Sequence, residues 1–174
     1  LATQMTPVVP VVFDGTYVRL EPLVAGHLSD LERVAEPGFW THMGEGPFGP
    51  TGFSGYLAEA DADREAGSRV AFAVIDQKTG KAIGSTSIGD IATEHARAEI
   101  GWTWYARSYW GGVTNPESKL LLMAHLFEDL GAVRVALKTG HRNTRSLGAI
   151  ARLGATREGT LRQQDHLTVC GCAP

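Results

Sequence analysis

Ala98-Glu-Ile-Gly-Trp-Thr-Trp104, followed after a short turn by Trp110-Gly-Gly-Val-Thr-Asn-Pro-Glu-Ser-Lys119, is the stretch on which the fold turns. Its first part is rich in strand formers, and Gly111 and Gly112 then allow a tight turn. A helix follows. Asn115 is expected to cap it with Pro116 at the first helical position, while Thr114-x-x-Glu117 offers a capping box one residue earlier. Leu120, Leu121, Met123, Ala124, Leu126, Phe127 and Leu130 supply apolar residues along this helix, and Gly131 is placed to stop it. A strand, a glycine turn and a helix N-terminus in succession present unpaired backbone N–H groups and a positive dipole end. Two readings fit: a cradle for phosphate, or an ordinary connection from strand to helix.

Working outward, Val133 to Lys138 alternates Val, Val and Leu inward with Arg, Ala and Lys outward, and Asn143 caps a helix that runs to about Leu153 and is closed by Gly154. This strand-helix-strand-helix order predicts that the last strands run parallel. On the N-terminal side the pattern differs. Tyr17 to Leu23 alternates as a strand, and Leu28, Leu31 and Val34 mark a helix over 25–35 that stops before Pro37. A second helix is expected over 52–66. Val70 to Ile75 and Lys81 to Ile88, joined by the turn Asp76-Gln-Lys-Thr-Gly80, form a hairpin that Ala98 to Trp104 extends as an antiparallel meander. The fold class is therefore α/β in the mixed sense, an antiparallel meander leading into a βαβα unit.

The chain of 174 residues fits one domain, with 1–12 an N-terminal extension whose first few residues are expected to be a processing remnant, 13–164 the domain, and 165–174 an atypical tail. A net charge of -3 offers no basic field for nucleic acid. No apolar run is long enough to span a membrane, and the first residues lack the basic and apolar regions of a signal peptide, so a cytoplasmic protein is expected. Cys170 and Cys172 sit together in the tail, too few for a closed zinc site and placed to staple nothing. The six histidines lack metal spacing, and no metal is expected.

Four segments occur in order: Arg97-Ala-Glu-Ile-Gly-Trp-Thr-Trp-Tyr105, Trp110-Gly-Gly-Val-Thr-Asn-Pro-Glu-Ser-Lys119, Phe127-Glu-Asp-Leu-Gly131 and Asn143-Thr-Arg-Ser-Leu-Gly-Ala-Ile-Ala-Arg-Leu-Gly-Ala155. Together they resemble the GCN5-related N-acetyltransferase superfamily, and most of all its ribosomal-protein N-terminal acetyltransferase (Rim) branch. The resemblance implies that the strand Ala98 to Trp104 splays from the next parallel strand to admit acetyl-CoA. Pantetheine would pair with main chain near Thr103, Trp104 and Tyr105, and pyrophosphate would sit on Gly111, Gly112, Val113, Thr114 and Asn115. Asn143 is implied as a further CoA contact. The chain departs from the family's pyrophosphate signature at Trp110, Val113 and Asn115, and Ile150 stands where many relatives carry a tyrosine acid.

The implied chemistry needs a neutral amine, donors for developing oxyanion charge, and an acid for the departing thiolate. Glu99 is the candidate base, directly or through water; the alternative is an ion pair with Arg97 or Arg107. Ser146 is the candidate acid, against the plainer role of a serine that satisfies local amides near a helix start. Trp40, His42, Glu45 and Phe48, on a glycine-rich loop, are candidates to bind the acceptor. The expected activity is acetyl transfer to a primary amine, either a protein N-terminus or a small molecule. The rival is a degenerate relative that binds CoA or another ligand without catalysis, and the odd tail raises a homodimer that completes the sheet.

Overall fold

The computed structural model describes residues 4–43 and 46–161, so Glu45, both cysteines and the tail on which the dimer expectation rested lie outside the described residues. Six strands form one sheet in chain order: β1 (Phe13–Asp14), β2 (Val18–Pro22), β3 (Val70–Asp76), β4 (Lys81–Ala92), β5 (Arg97–Tyr105) and β6 (Arg134–Ala136). Neighbours are antiparallel except β5 and β6, which run parallel. Among the described residues four α-helices accompany them: α1 (Leu28–Val34), α2 (Gly52–Glu65), α3 (Thr114–Ala124) and α4 (Thr144–Arg152). None of the described helices is long and apolar enough to cross a membrane. The mixed α/β sheet is as the sequence pattern predicts.

The sheet is covered on both faces, which is why β3 reads as the continuous apolar run Val-Ala-Phe-Ala-Val-Ile. Its large residues, Val70, Phe72 and Val74, join Val18, Leu20, Ile88, Ile100, Leu122 and Leu126 on the face under α3. Its other face carries Ala71 and Ala73, small enough to seat Leu31, Phe39, Trp40, Phe53 and Tyr56 from the α1–α2 region. Met5 belongs to the first cluster, with its N–H donating to the Thr93 carbonyl at 3.1 Å.

Three local expectations are corrected. Asn115 does not cap α3, which starts two residues earlier than expected, behind Val113 and without any side-chain cap; the Asn115 amide oxygen instead accepts from the Tyr105 hydroxyl at 3.3 Å. The buried stripe of this helix is Ser118, Lys119 and Leu122, continued by Leu126, whereas Leu120 is 65% exposed and Phe127 is also exposed. Leu122 and Leu126 lie three and seven residues beyond Lys119, on one helical face, and that face meets the sheet. Finally, β6 spans only Arg134–Ala136, and Val133 is exposed just before it.

Glu117 explains why α3 takes this position. Its carboxylate accepts the N–H groups of Thr16, Tyr17 and Val18 at 2.6, 2.8 and 2.8 Å, tying the helix to the β1–β2 turn. Gly15 in that turn has no room for a Cβ, which would lie 2.8 Å from the Glu117 carboxyl carbon. Three charge-assisted bonds make this a main attachment of α3. Glu117→Ala is expected to cost about 2–3 kcal/mol in denaturant unfolding; a loss under about 0.5 kcal/mol would show that water serves those amides equally well.

Candidate active site

The parallel pairing of β5 and β6 covers Arg97↔Arg134, Ala98↔Val135 and Glu99↔Ala136, and there it ends, although β5 continues to Tyr105. Glu99 stands at the fork. It is 7% exposed, and one carboxylate oxygen lies 3.8 Å from Lys138 Nζ. The ion-pair partners considered from sequence lie elsewhere: Arg97 meets Asp90 at 2.6 Å, and Arg107 holds Glu36. Gly101 follows on the same face, and a Cβ there would come within 2.9 Å of a Glu99 oxygen. The glycine leaves the carboxylate its space.

Past Gly101 the β4–β5 register slips. Ser87 pairs with Gly101 and Ser85 with Trp104, which leaves Trp102 bulged at φ 50°. A tryptophan in the left-handed region is strained, and such strain persists only where surrounding contacts hold it. The holding contacts are polar and buried. Thr86 and Thr103 hydroxyls lie 2.8 Å apart, and Thr103 also donates to the Gly101 carbonyl at 3.1 Å. Lys119 Nζ reaches up from α3 to both, at 3.2 and 2.6 Å. Lys119 is 5% exposed, and burial pulls its pKa down from 10.5 to about 7 while Glu99 opposes the fall.

Of the residues expected along the pantetheine path, Thr103 is committed to this knot through its side chain. Trp104 is buried and donates its indole N–H to the Tyr56 hydroxyl at 3.3 Å. The Tyr105 carbonyl accepts from Trp110 Nε1 at 2.8 Å, and its buried phenol is held protonated far above the usual range by desolvation. The chain then reaches Gly111 at φ 74°, with Gly111, Gly112 and Val113 exposed ahead of α3 and Thr114 buried.

Tertiary structure adds the α4 N-terminus to this loop. The Asn143 side chain accepts from Ser146 N–H at 3.1 Å, so Asn143 is the cap and Ser146, half-buried, sits in the first turn. Between them Arg145 lays its guanidinium 3.6 Å from the Trp110 ring centroid, with Arg107 at 4.7 Å from that ring. Desolvation and then the neighbouring Arg107 charge lower the Arg145 pKa. Arg145 beside the turn at a helix N-terminus suits an anion, while the Arg107 charge next to it is already engaged by Glu36.

Beside β5 a pocket of about 300 Å³ opens, lined by Trp40, Met43, Tyr56, Glu59, Arg69, Trp102 and Trp104 among others. Trp40 is one of its walls, 4.8 Å from Trp104 between ring centroids. Phe48 backs Trp40 at 5.3 Å, and His42 is half-buried outside the lining. Sequence reasoning missed Tyr56, Arg69, Trp102 and Lys119. Lys119 alone left a legible signal, a lysine on the stripe with Leu122 and Leu126. Among the described residues no cluster of three or more His, Cys, Asp or Glu is placed to hold a metal.

Comparisons with known proteins agree with this architecture. The family model described as an acetyltransferase (GNAT) domain matches residues 18–156. A GCN5-related N-acetyltransferase from Brucella melitensis superposes with a TM-score of 0.87 at 27% identity, over 95% of this chain and 76% of that one. The acetyl transferase of Salmonella typhimurium that modifies the N-terminal serine of 50S ribosomal subunit protein L7/L12 shares the fold at a TM-score of 0.73 and 18% identity, over 88% of this chain and 89% of that one. The uncharacterized N-acetyltransferase p20 of Bacillus licheniformis is 31% identical over 94 residues, 54% of this chain, and the chain thus spans about half (52%) of that curated relative's length. With a family model covering most of the chain and the forked sheet in place, the protein belongs to the GNAT acetyltransferase family.

Proposed function

We propose that this chain transfers an acetyl group from acetyl-CoA directly to a primary amine, a protein N-terminus or a small molecule. The observation that carries the reading is the fork after Glu99, with the Gly111–Val113 turn and Arg145 along β5 on one hand and the aromatic pocket lined by Trp102 and Trp104 on the other. The residues present fit CoA. Main chain of Thr103 and Trp104 lies on the part of β5 that β6 does not pair. Amides of Gly111 to Asn115 and the Arg145 guanidinium would take the phosphates, with Asn143 holding the α4 turn beside them.

Bound acetyl-CoA would supply the activated acetyl group as a thioester. Glu99 would accept a proton from the incoming ammonium, directly or through water, so that a neutral amine faces the gap. Ser146 would donate toward the departing sulfur. Trp40 and its neighbours would exclude water around the amine, with Phe48 supporting Trp40 and His42 and Glu45 left to the rim. No cysteine is used, and no covalent enzyme intermediate is required. The reading places the protein in the cytoplasm, where acetyl-CoA is available.

A thermal scan tests the donor. Acetyl-CoA at 100 times its dissociation constant is expected to add about 2.7 kcal/mol of stability. Absence of any shift would remove acetyl-CoA from the assignment. The altered signature at Trp110, Val113 and Asn115, together with Ile150 on α4, favours a second reading, a CoA binder without catalysis. A clear thermal shift with no thiol release across a broad amine panel would select it.

A further inference from the structure

Trp102 is the one wall of the pocket that the fold holds in place at a cost. Its backbone is left-handed (φ 50°), and the residue still leaves 38% of its surface exposed, so ring burial offsets the strain only in part. The ring's placement is specific. A Cβ at Gly89 would lie 2.4 Å from it, so the indole rests directly on the Gly89 backbone. Gly89 is the register partner of Glu99, and the indole therefore stands beside the candidate base. Trp102 thus joins the pocket, whose lining does not include Glu99, to the strand position opposite that carboxylate.

The charges nearby show what kind of amine this wall suits. Arg69, with its side chain only 4% exposed, lies 5.3 Å from the Trp102 ring centroid and already occupies the cation–π position. Its guanidinium donates to Asp63 at 2.7 Å and to Glu59 at 3.2 Å. Both carboxylates are thus engaged by a residue of the protein itself, which weakens their pull on a second ammonium. Trp40, Tyr56, Trp102, Trp104 and Met43 remain as the discriminating surface.

We propose that Trp102 is the specificity-determining wall of this pocket, and that it selects primary amines with a flat or bulky apolar body over small or multiply charged ones. The inference rests on the transferase reading for the identity of the reacting group, but binding tests it without turnover. Calorimetric titration of 2-phenylethylamine, ethylamine and 1,4-diaminobutane into the CoA-saturated protein compares equal amine heads on different bodies. The expected result is 2-phenylethylamine bound at least tenfold tighter than ethylamine, as burial of a ring implies. Trp102→Ala and Trp102→Gly should reduce that preference to below about threefold, and Trp102→Phe should keep most of it.

Trp102→Gly separates function from folding, because glycine adopts this φ without strain. Its unfolding should stay cooperative, with relief of backbone strain offsetting part of the lost ring contacts, while the preference disappears. Equal binding of ethylamine and 2-phenylethylamine, tightest binding of 1,4-diaminobutane, or a preference that survives Trp102→Gly would each overturn the proposal. Thiol release is measured in parallel. A preference in binding with no thiol release from any amine of the broad panel would sink the transferase reading and leave Trp102 in its role; thiol release without a preference would do the reverse.

Discussion

Lys119→Met is expected to make the protein more stable at pH 7, by about 3 kcal/mol, and to lose that advantage as the pH rises toward 10.5. The buried amine has its pKa lowered from 10.5 to about 7, chiefly by desolvation. At 1.36 kcal/mol per pH unit, a change of that size corresponds to ~5 kcal/mol against the folded state wherever the unfolded lysine is charged. The two hydrogen bonds to Thr86 and Thr103 offset part of this, at about 1 kcal/mol each. Between about pH 7 and 10.5 the unfolded chain binds a proton at this site and the folded chain does not, so wild-type stability climbs with pH. Below pH 7 both states are protonated, and the penalty is constant. Methionine is close in length and carries no charge, so its unfolding free energy should be flat across the same window at this site. Urea titrations of both proteins at several pH values measure it. Equal stabilities at pH 7 with parallel pH profiles would show that Lys119 is not buried as the structure has it. A more stable variant that transfers acetyl groups more slowly would show what the lysine is retained for: it secures the bulge that carries Trp102, and stability is given up for that geometry.

Glu99→Gln carries the largest expected effect on activity. A positioned base contributes ~10²–10⁴-fold to proton transfer, so kcat/KM for the amine should fall by at least about a hundredfold. The thermal shift with acetyl-CoA should survive, because the groups assigned to phosphate and pantetheine lie further along β5 and at the helix termini. The fall should be smallest at high pH, where the amine is already neutral and needs no base. Loss that is independent of pH would point instead to a structural role through Lys138, whose ammonium lies 3.8 Å from the carboxylate. Retention of full rate at every pH would remove Glu99 from the mechanism altogether.

Much of the fold was legible in the chain. Periodicity marked β2 to β5 and α1, α2 and α4 to within a residue or two at most ends, because each buries one regular face or is closed by a glycine or proline. Asn143 could be assigned as a cap for the same reason: its bond to Ser146 N–H is local. The α3 caps failed because Asn115 is taken by the Tyr105 hydroxyl, and Glu117, the apparent box partner of Thr114, by backbone amides about a hundred residues earlier. No local rule contains that competitor.

The sequence by itself determined the order of elements, the parallel last pair of strands and the string of residues from Ala98 to Asn115, since these depend on side-chain period and on turns within a few positions. Only the tertiary structure decided the partners. It turned Arg97 and Arg107 away from Glu99, brought Arg145 onto Trp110, and put a lysine beneath two threonines. It also turned Trp102 outward into a pocket through a register slip against β4. Those pairings join residues distant in the chain, and their energies depend on burial and on which charges share a cavity, quantities that exist only once the sheet is assembled.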